Sequence, residues 1–164
     1  MQNITPFLWF DDNAEEAVNF YVATFKNSKI DSINRWGEGE SVLTIDFVLD
    51  GTDFVALNGG RTAPDGEELG SKFDLKASSA VSFVVSCKTQ ADVDEVWEKL
   101  VPGGETMQCG WIRDKFGVTW QIVPEGMLEL FGDPDRERAR RAMSAMMEMV
   151  KLDIDAMRRA ADGG

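Results

Sequence analysis

The order strand, helix, strand, strand, strand is written twice in this sequence, and the repetition restricts the fold more than any other feature. In the first half, Ile4 to Phe10 is a short apolar run that predicts a strand. Asp12 or Asn13 then caps a helix, with Glu15 and Glu16 in the first turn, where the helix dipole favours acids. Ala14, Ala17, Val18, Tyr21 and Phe25 recur at helical spacing and predict one buried stripe. Lys29 to Trp36 and Ser41 to Leu49 read as strands joined by a turn at Gly37-Glu38-Gly39-Glu40. In the second of these, Leu43, Ile45, Phe47 and Leu49 share a face, and Thr44 and Asp46 take the other. Asp50-Gly51 is a hairpin signal leading into Phe54 to Asn58.

The second half follows the same order. Val81 to Cys87 predicts a strand, and Thr89 caps a helix striped by Val93, Val96, Trp97 and Leu100. Pro102-Gly103-Gly104 stops that helix. Glu105 to Cys109 and Gly110 to Asp114 are strand-like, and a turn at Phe116-Gly117 leads to Val118 to Val123. Superposing Gly51 on Gly117 brings Phe54 onto Trp120 and Val55 onto Gln121. Element order and apolar pattern repeat more than residue identity does, as in an internal duplication. The expected fold class is α+β: two βαβββ modules at 1–60 and 80–124, a linker loop at 61–79 and a helical tail at 125–164.

In the tail, Asp133-Pro134-Asp135 reads as a helix start, with Asp as cap and Pro at the first helical position. Met143, Met146, Met147 and Met149 make a soft stripe that seals a core or a subunit interface more often than it closes over a ligand. Asp153 starts a further helix, with Leu152 placed to staple onto Met157.

Charge narrows the partners. The 164 residues carry 29 acidic against 17 basic side chains, a net charge of −12. An acidic body repels phosphate backbones, so no nucleic acid is expected. The one basic cluster, Arg136, Arg138, Arg140 and Arg141, reads as a solvated helix face or a contact to acidic surface. No apolar run approaches a membrane span, and no signal-peptide pattern precedes the first strand. A cytoplasmic protein with Cys87 and Cys109 reduced is expected.

Several stretches together resemble a known family. Pro6-Phe7-Leu8-Trp9-Phe10 followed by Asn13-Ala14-Glu15-Glu16-Ala17-Val18-Asn19-Phe20-Tyr21 is similar to the first strand and helix of the PhnB-like branch of the vicinal-oxygen-chelate superfamily. That superfamily includes glyoxalase I, bleomycin-resistance proteins and extradiol dioxygenases. Ala56-Leu57-Asn58-Gly59-Gly60, Cys109-Gly110-Trp111 and the run from Asp114 to Pro124 match in order, as does the tail. The resemblance implies βαβββ modules whose sheets curl around a cavity, and a homodimer. The branch also carries the name 3-demethylubiquinone-9 3-methyltransferase-like. The residues give that label no support. A glycine-rich turn from strand to helix would be needed to hold a nucleotide-like cofactor, and Gly37 and Gly39 sit between two predicted strands.

Metalloenzymes of the superfamily place His and Glu on inner strand faces. This sequence has no histidine, and Gln121 stands at the equivalent of the last-strand Glu. A neutral amide is a poor ligand for a divalent ion, so no metal and no cofactor are expected. Strand alternation selects Thr44 and Asp46, Ser82 and Ser86, Trp111 and Arg113, and Thr119 and Gln121 for the mixed faces. Two readings stand for these positions: they line a small-molecule pocket, or they point to solvent from a half-covered sheet. The curled sheet implied by the resemblance favours the pocket. The candidate ligand-binding residues are Thr44, Asp46, Ser82, Trp111, Arg113 and Gln121.

Asp46, flanked by Ile45 and Phe47, is the candidate acid-base group if burial raises its pKa; an exposed or Arg-paired Asp is the commoner outcome. Cys109 lacks a histidine to activate it, which favours inert burial. Trp9 and Trp120 read first as core residues, and Asn58 as a strand end bonded to its own backbone. The expected function is metal-independent binding of a small organic molecule. The alternatives are a metal-independent isomerase or lyase on a small carbonyl compound with Asp46 as base, and a structural or regulatory homodimer held by the tail helices.

Overall fold

The computed structural model describes residues 4–35, 41–60 and 81–164. The expected turn at Gly37–Glu40, the residue Trp36 and the linker 61–79 lie outside them. Two units divide the chain, the first ending at Phe73 and the second beginning at Asp74.

The first unit runs β1 (Phe7–Phe10), α1 (Ala14–Thr24), β2 (Lys29–Arg35), β3 (Val42–Leu49), β4 (Thr52–Asn58). Its sheet has the order β1-β4-β3-β2, with β1 parallel to β4 and the other pairs antiparallel. Alternation decides which side is buried. Leu8, Phe10, Ile45, Phe47, Phe54 and Ala56 are buried, as are Ala14, Ala17, Val18 and Tyr21 of α1. Removing each large side chain here from water contributes about 1.5–3 kcal/mol.

Asn58 departs from expectation. Its Oδ1 accepts from Ala14 N at 2.8 Å, and its Nδ2 donates to Val42 O at 3.1 Å. Asn13 occupies the cap position of α1 without a side-chain hydrogen bond. The first turn of α1 is therefore capped from β4, a contact that only the tertiary fold creates.

The second unit repeats the plan with β5 (Phe83–Cys87), α2 (Gln90–Leu100), β6 (Glu105–Thr106), β7 (Trp111–Arg113) and β8 (Thr119–Pro124). The order β5-β8-β7-β6 matches that of the first sheet, again with one parallel pair. Thr89 caps α2 in a reciprocal box with Asp92. Val93, Leu100, Ile112, Trp120 and Ile122 form the core.

The strand expected over Glu105 to Cys109 stops at Thr106. Cys109 and Gly110 both take left-handed backbone, φ +61° and +81°, and two such residues in succession cannot continue a strand. Their N–H groups donate instead to Met149 O and Val150 O, each at 2.8 Å. A Cβ on Gly110 would lie 2.8 Å from Ile122 O and 2.9 Å from Leu152 Cδ1, so only glycine fits.

The tail holds α3 (Met127–Phe131), α4 (Arg136–Met147) and α5 (Ile154–Asp162). The five-residue α3 is too short to show a periodic stripe. The cap of α4 is Asp135 rather than Asp133, because Asp135 accepts from Glu137 N and Arg138 N; Pro134 thus lies outside the helix. Asp153 caps α5, and Leu152 shares a buried cluster with Ile154 and Met157, as the staple requires. Met146 and Met149 pack on that cluster, and Met143 and Met147 stay exposed. The methionine stripe thus has two destinations. Among the described residues no helix is long and apolar enough to cross a membrane.

Candidate functional site

Strand register assembles the mixed face of each sheet. In the first unit, Phe7, Val55, Asp46 and Ser32 form one cross-strand row, and Trp9, Leu57, Thr44 and Asn34 the next. Asp46 is half-buried. Its Oδ2 accepts from Ser32 Oγ at 2.5 Å and from Asn34 Nδ2 at 3.5 Å; Asn34 also donates to Thr44 Oγ1 at 3.1 Å. Asp46 is thus tied into a polar cluster and, among the described residues, is not paired with arginine. Trp9 donates through Nε1 to Gly60 O at 2.9 Å. Its ring fills the space a side chain at Gly59 would need, with ring carbons 2.2 Å from a Cβ built there.

In the second unit, Val84, Gln121 and Trp111 form one row, and Thr119, Arg113 and Glu105 the next. Gln121 Nε2 donates to Ser82 Oγ at 2.8 Å. Arg113 Nη1 donates to Glu105 Oε2 at 2.9 Å. Val84 and Ser86 are exposed, Trp111 and Gln121 half-buried, and Thr119 buried. The face grades from open at β5 to enclosed at Thr119.

The six candidate residues thus fall into two sets, Thr44 and Asp46 in one unit and Ser82, Trp111, Arg113 and Gln121 in the other. Trp120 belongs to the core, where its Nε1 donates to Asp114 Oδ2 at 2.8 Å. Cys109 is half-buried, with Sγ 3.8 Å from Met147 Sδ. Sequence reasoning missed four residues that position these groups. Ser32, Asn34 and Glu105 are visible only once register is known. Asp114 accepts from Phe116 N and Val118 N as well as from Trp120, and so holds the β7–β8 turn between Arg113 and Thr119. The Asp-x-x-Gly spacing to Gly117 was the available signal.

The basic cluster on α4 is largely engaged within the tail. Arg138 pairs with Asp133 and Asp162, Arg140 with Glu137, and Arg141 donates through Nε and Nη2 to Ala161 O.

The superfamily's metal position can be tested on these residues. Gln121 has a hydroxyl, an indole and a valine as neighbours, a poor donor set for a divalent ion. Among the described residues, no three His, Cys, Asp or Glu side chains converge to hold one. Gln121 and its described neighbours are therefore a poor fit for a divalent ion.

Two four-stranded βαβββ sheets with C-terminal helices define a glyoxalase-like fold. The sequence matches the family described as 3-demethylubiquinone-9 3-methyltransferase over residues 2–123. A PhnB protein of Bacillus cereus, described as a candidate 3-demethylubiquinone-9 3-methyltransferase, is 32% identical. The match covers 75% of this chain and 99% of that one, with TM-score 0.62. A Pseudomonas aeruginosa protein at 18% identity covers 76% and 98%, with TM-score 0.58. The fosfomycin resistance protein FosX of Mesorhizobium loti shares the fold at 11% identity, TM-score 0.54, covering 80% and 98%. No curated protein matches. The chain belongs to the PhnB-like family described as 3-demethylubiquinone-9 3-methyltransferase.

Proposed function

We propose that the chain binds a small organic molecule, without a metal, on the mixed face of its second sheet. The observation that carries this reading is the convergence of Ser82, Trp111, Arg113, Thr119 and Gln121 on one face graded from exposed to buried. An aromatic surface beside a few fixed polar groups is how small-molecule sites are lined. Thermal-shift screening of aromatic compounds tests it. Binders should raise the melting temperature of the wild type and lose that effect in Trp111→Ala. Stabilisation that survives Trp111→Ala would place the ligand elsewhere.

The family's methyltransferase name does not carry over as an activity. Of the three described strand-to-helix connections, Asp11-Asp12-Asn13 and Lys88-Thr89 lack glycine and Glu125-Gly126 leads only into the five-residue α3, so none has the build of a nucleotide-binding turn. Asp46 as a base is the weaker reading, because its Oδ2 is already engaged by Ser32 and Asn34.

A homodimer through the tail is favoured by the exposure of Leu128, Met143, Met147 and Val150, 74, 47, 52 and 45%. Paired Met143→Glu and Met147→Glu substitutions should then yield monomers in sedimentation. An unchanged oligomeric state would remove the tail from the interface.

A further inference from the structure

Arg113 and Thr119 are direct cross-strand partners on the mixed face of the second sheet. Arg113 is 18% exposed in its side chain, and its Nε is buried without a hydrogen-bond partner among the described residues. Thr119 is 3% exposed, and its Oγ1 is likewise buried and unpartnered. Buried polar atoms are nearly always paired, and one left alone costs about 1–3 kcal/mol. Two such atoms on adjacent residues of one face indicate a shared partner. Glu105 does not fill that role. Its side chain is 71% exposed and reaches only Nη1, so it leaves the buried Nε without a partner.

We infer that Arg113 and Thr119 form a subsite for the oxyanion group of the ligand. The inference rests on the small-molecule reading above and specifies its ligand. Arg113 Nε–H can only donate, and a threonine hydroxyl can also donate, so the group they share accepts twice. The guanidinium is permanently cationic, which selects an anionic acceptor of planar or tetrahedral shape. Trp111, two residues earlier on the same strand, presents its ring to the same face. The body of the ligand lies against Trp111, within reach of the Gln121 amide. On a chain of net charge −12, the partly buried Arg113 supplies a local attraction that the overall field does not.

The test uses the full chain and three matched probes: benzoate, benzenesulfonate and neutral benzamide. The Arg113 Nε–H and Trp111 Nε1–H resonances are followed by nitrogen-15 NMR. At millimolar concentration one or both anions should move both resonances, and benzamide should leave Arg113 Nε–H in place. Comparison of the two anions separates planar from tetrahedral preference. Arg113→Lys, which keeps the charge and loses the fork, should weaken anion binding by about tenfold or more. Thr119→Val, of equal shape, should weaken it less. If all three probes move Trp111 alike and none moves Arg113, the oxyanion subsite falls and the small-molecule reading stands. If no probe moves either resonance, buried water is the partner of Arg113 and Thr119, and the inference is overturned. The wild-type titration decides the matter even if a variant fails to fold.

Discussion

Asn58, at the end of β4, accepts the N–H of Ala14 at the start of α1 and donates to Val42 O on β3. One side chain thereby joins a helix terminus to two strands of the sheet beneath it. Asn58→Ala removes both bonds and leaves the Ala14 N–H uncapped. The expected loss is about 1–2 kcal/mol in urea denaturation. Asn58→Asp keeps the acceptor and should recover part of it. A midpoint equal to wild type in Asn58→Ala would show that α1 needs no cap from the sheet.

Gln90 does the same for the tail. Its Nε2 donates to Leu152 O at 2.9 Å, and its Oε1 accepts from Ile154 N at 3.1 Å. Gln90→Ala should cost about 1–3 kcal/mol and speed exchange of the Ile154 amide. Exchange rising equally across the unit would mean global rather than local loosening.

Asp114 is 3% exposed and accepts three hydrogen bonds, from Phe116 N, Val118 N and Trp120 Nε1. Asp114→Ala strands three donors and should cost about 3–5 kcal/mol. Asp114→Asn retains two of the acceptor contacts and should fall between. The readout is denaturation followed by Trp120 fluorescence. A loss under about 1 kcal/mol would count against the turn as the element that sets Arg113 beside Thr119.

The Lys151–Asp94 pair, 2.6 Å apart, adds a pH dependence. The hydrogen bond from Lys151 holds Asp94 below its ordinary value of 3.8. A depressed carboxylate stabilises the fold above that value and loses the contribution as pH falls through the folded pKa. The pair is about two-fifths exposed, 39% and 41%, so its worth at neutral pH is about 0.5 kcal/mol or less. Lys151→Met should be slightly less stable than wild type at pH 7, and the two should converge below pH 3.8. A difference that widens in acid would reverse the assignment.

Alternation carried most of the fold. Thr44 and Asp46 fall opposite Ile45 and Phe47 because a strand alternates its faces whatever it pairs with. The same rule placed Ser82, Trp111, Arg113 and Gln121 together on the second sheet. Contacts that depend on register or on distant chain were not legible. Ser32 and Asn34 reach Asp46 across a ladder with irregularities at Ile30/Ser32 and Asn34/Arg35, which no local pattern reveals. The break after Thr106 depends on Met149 and Val150, far along the chain. Asn58 was read as a local strand end because its partner Ala14 is close in space and distant in sequence.

The pairing of Cys109 and Gly110 with Met149 and Val150 also orders events during synthesis. A chain emerging from the ribosome offers its first module complete, with helix, sheet and cap present as soon as Asn58 is out. The second module has its strands by Pro124, yet two of its backbone donors wait for Met149 and Val150 to appear. The duplicated halves are alike in plan and unlike in timing: one has its partners once Asn58 has appeared, the other only after Val150 has.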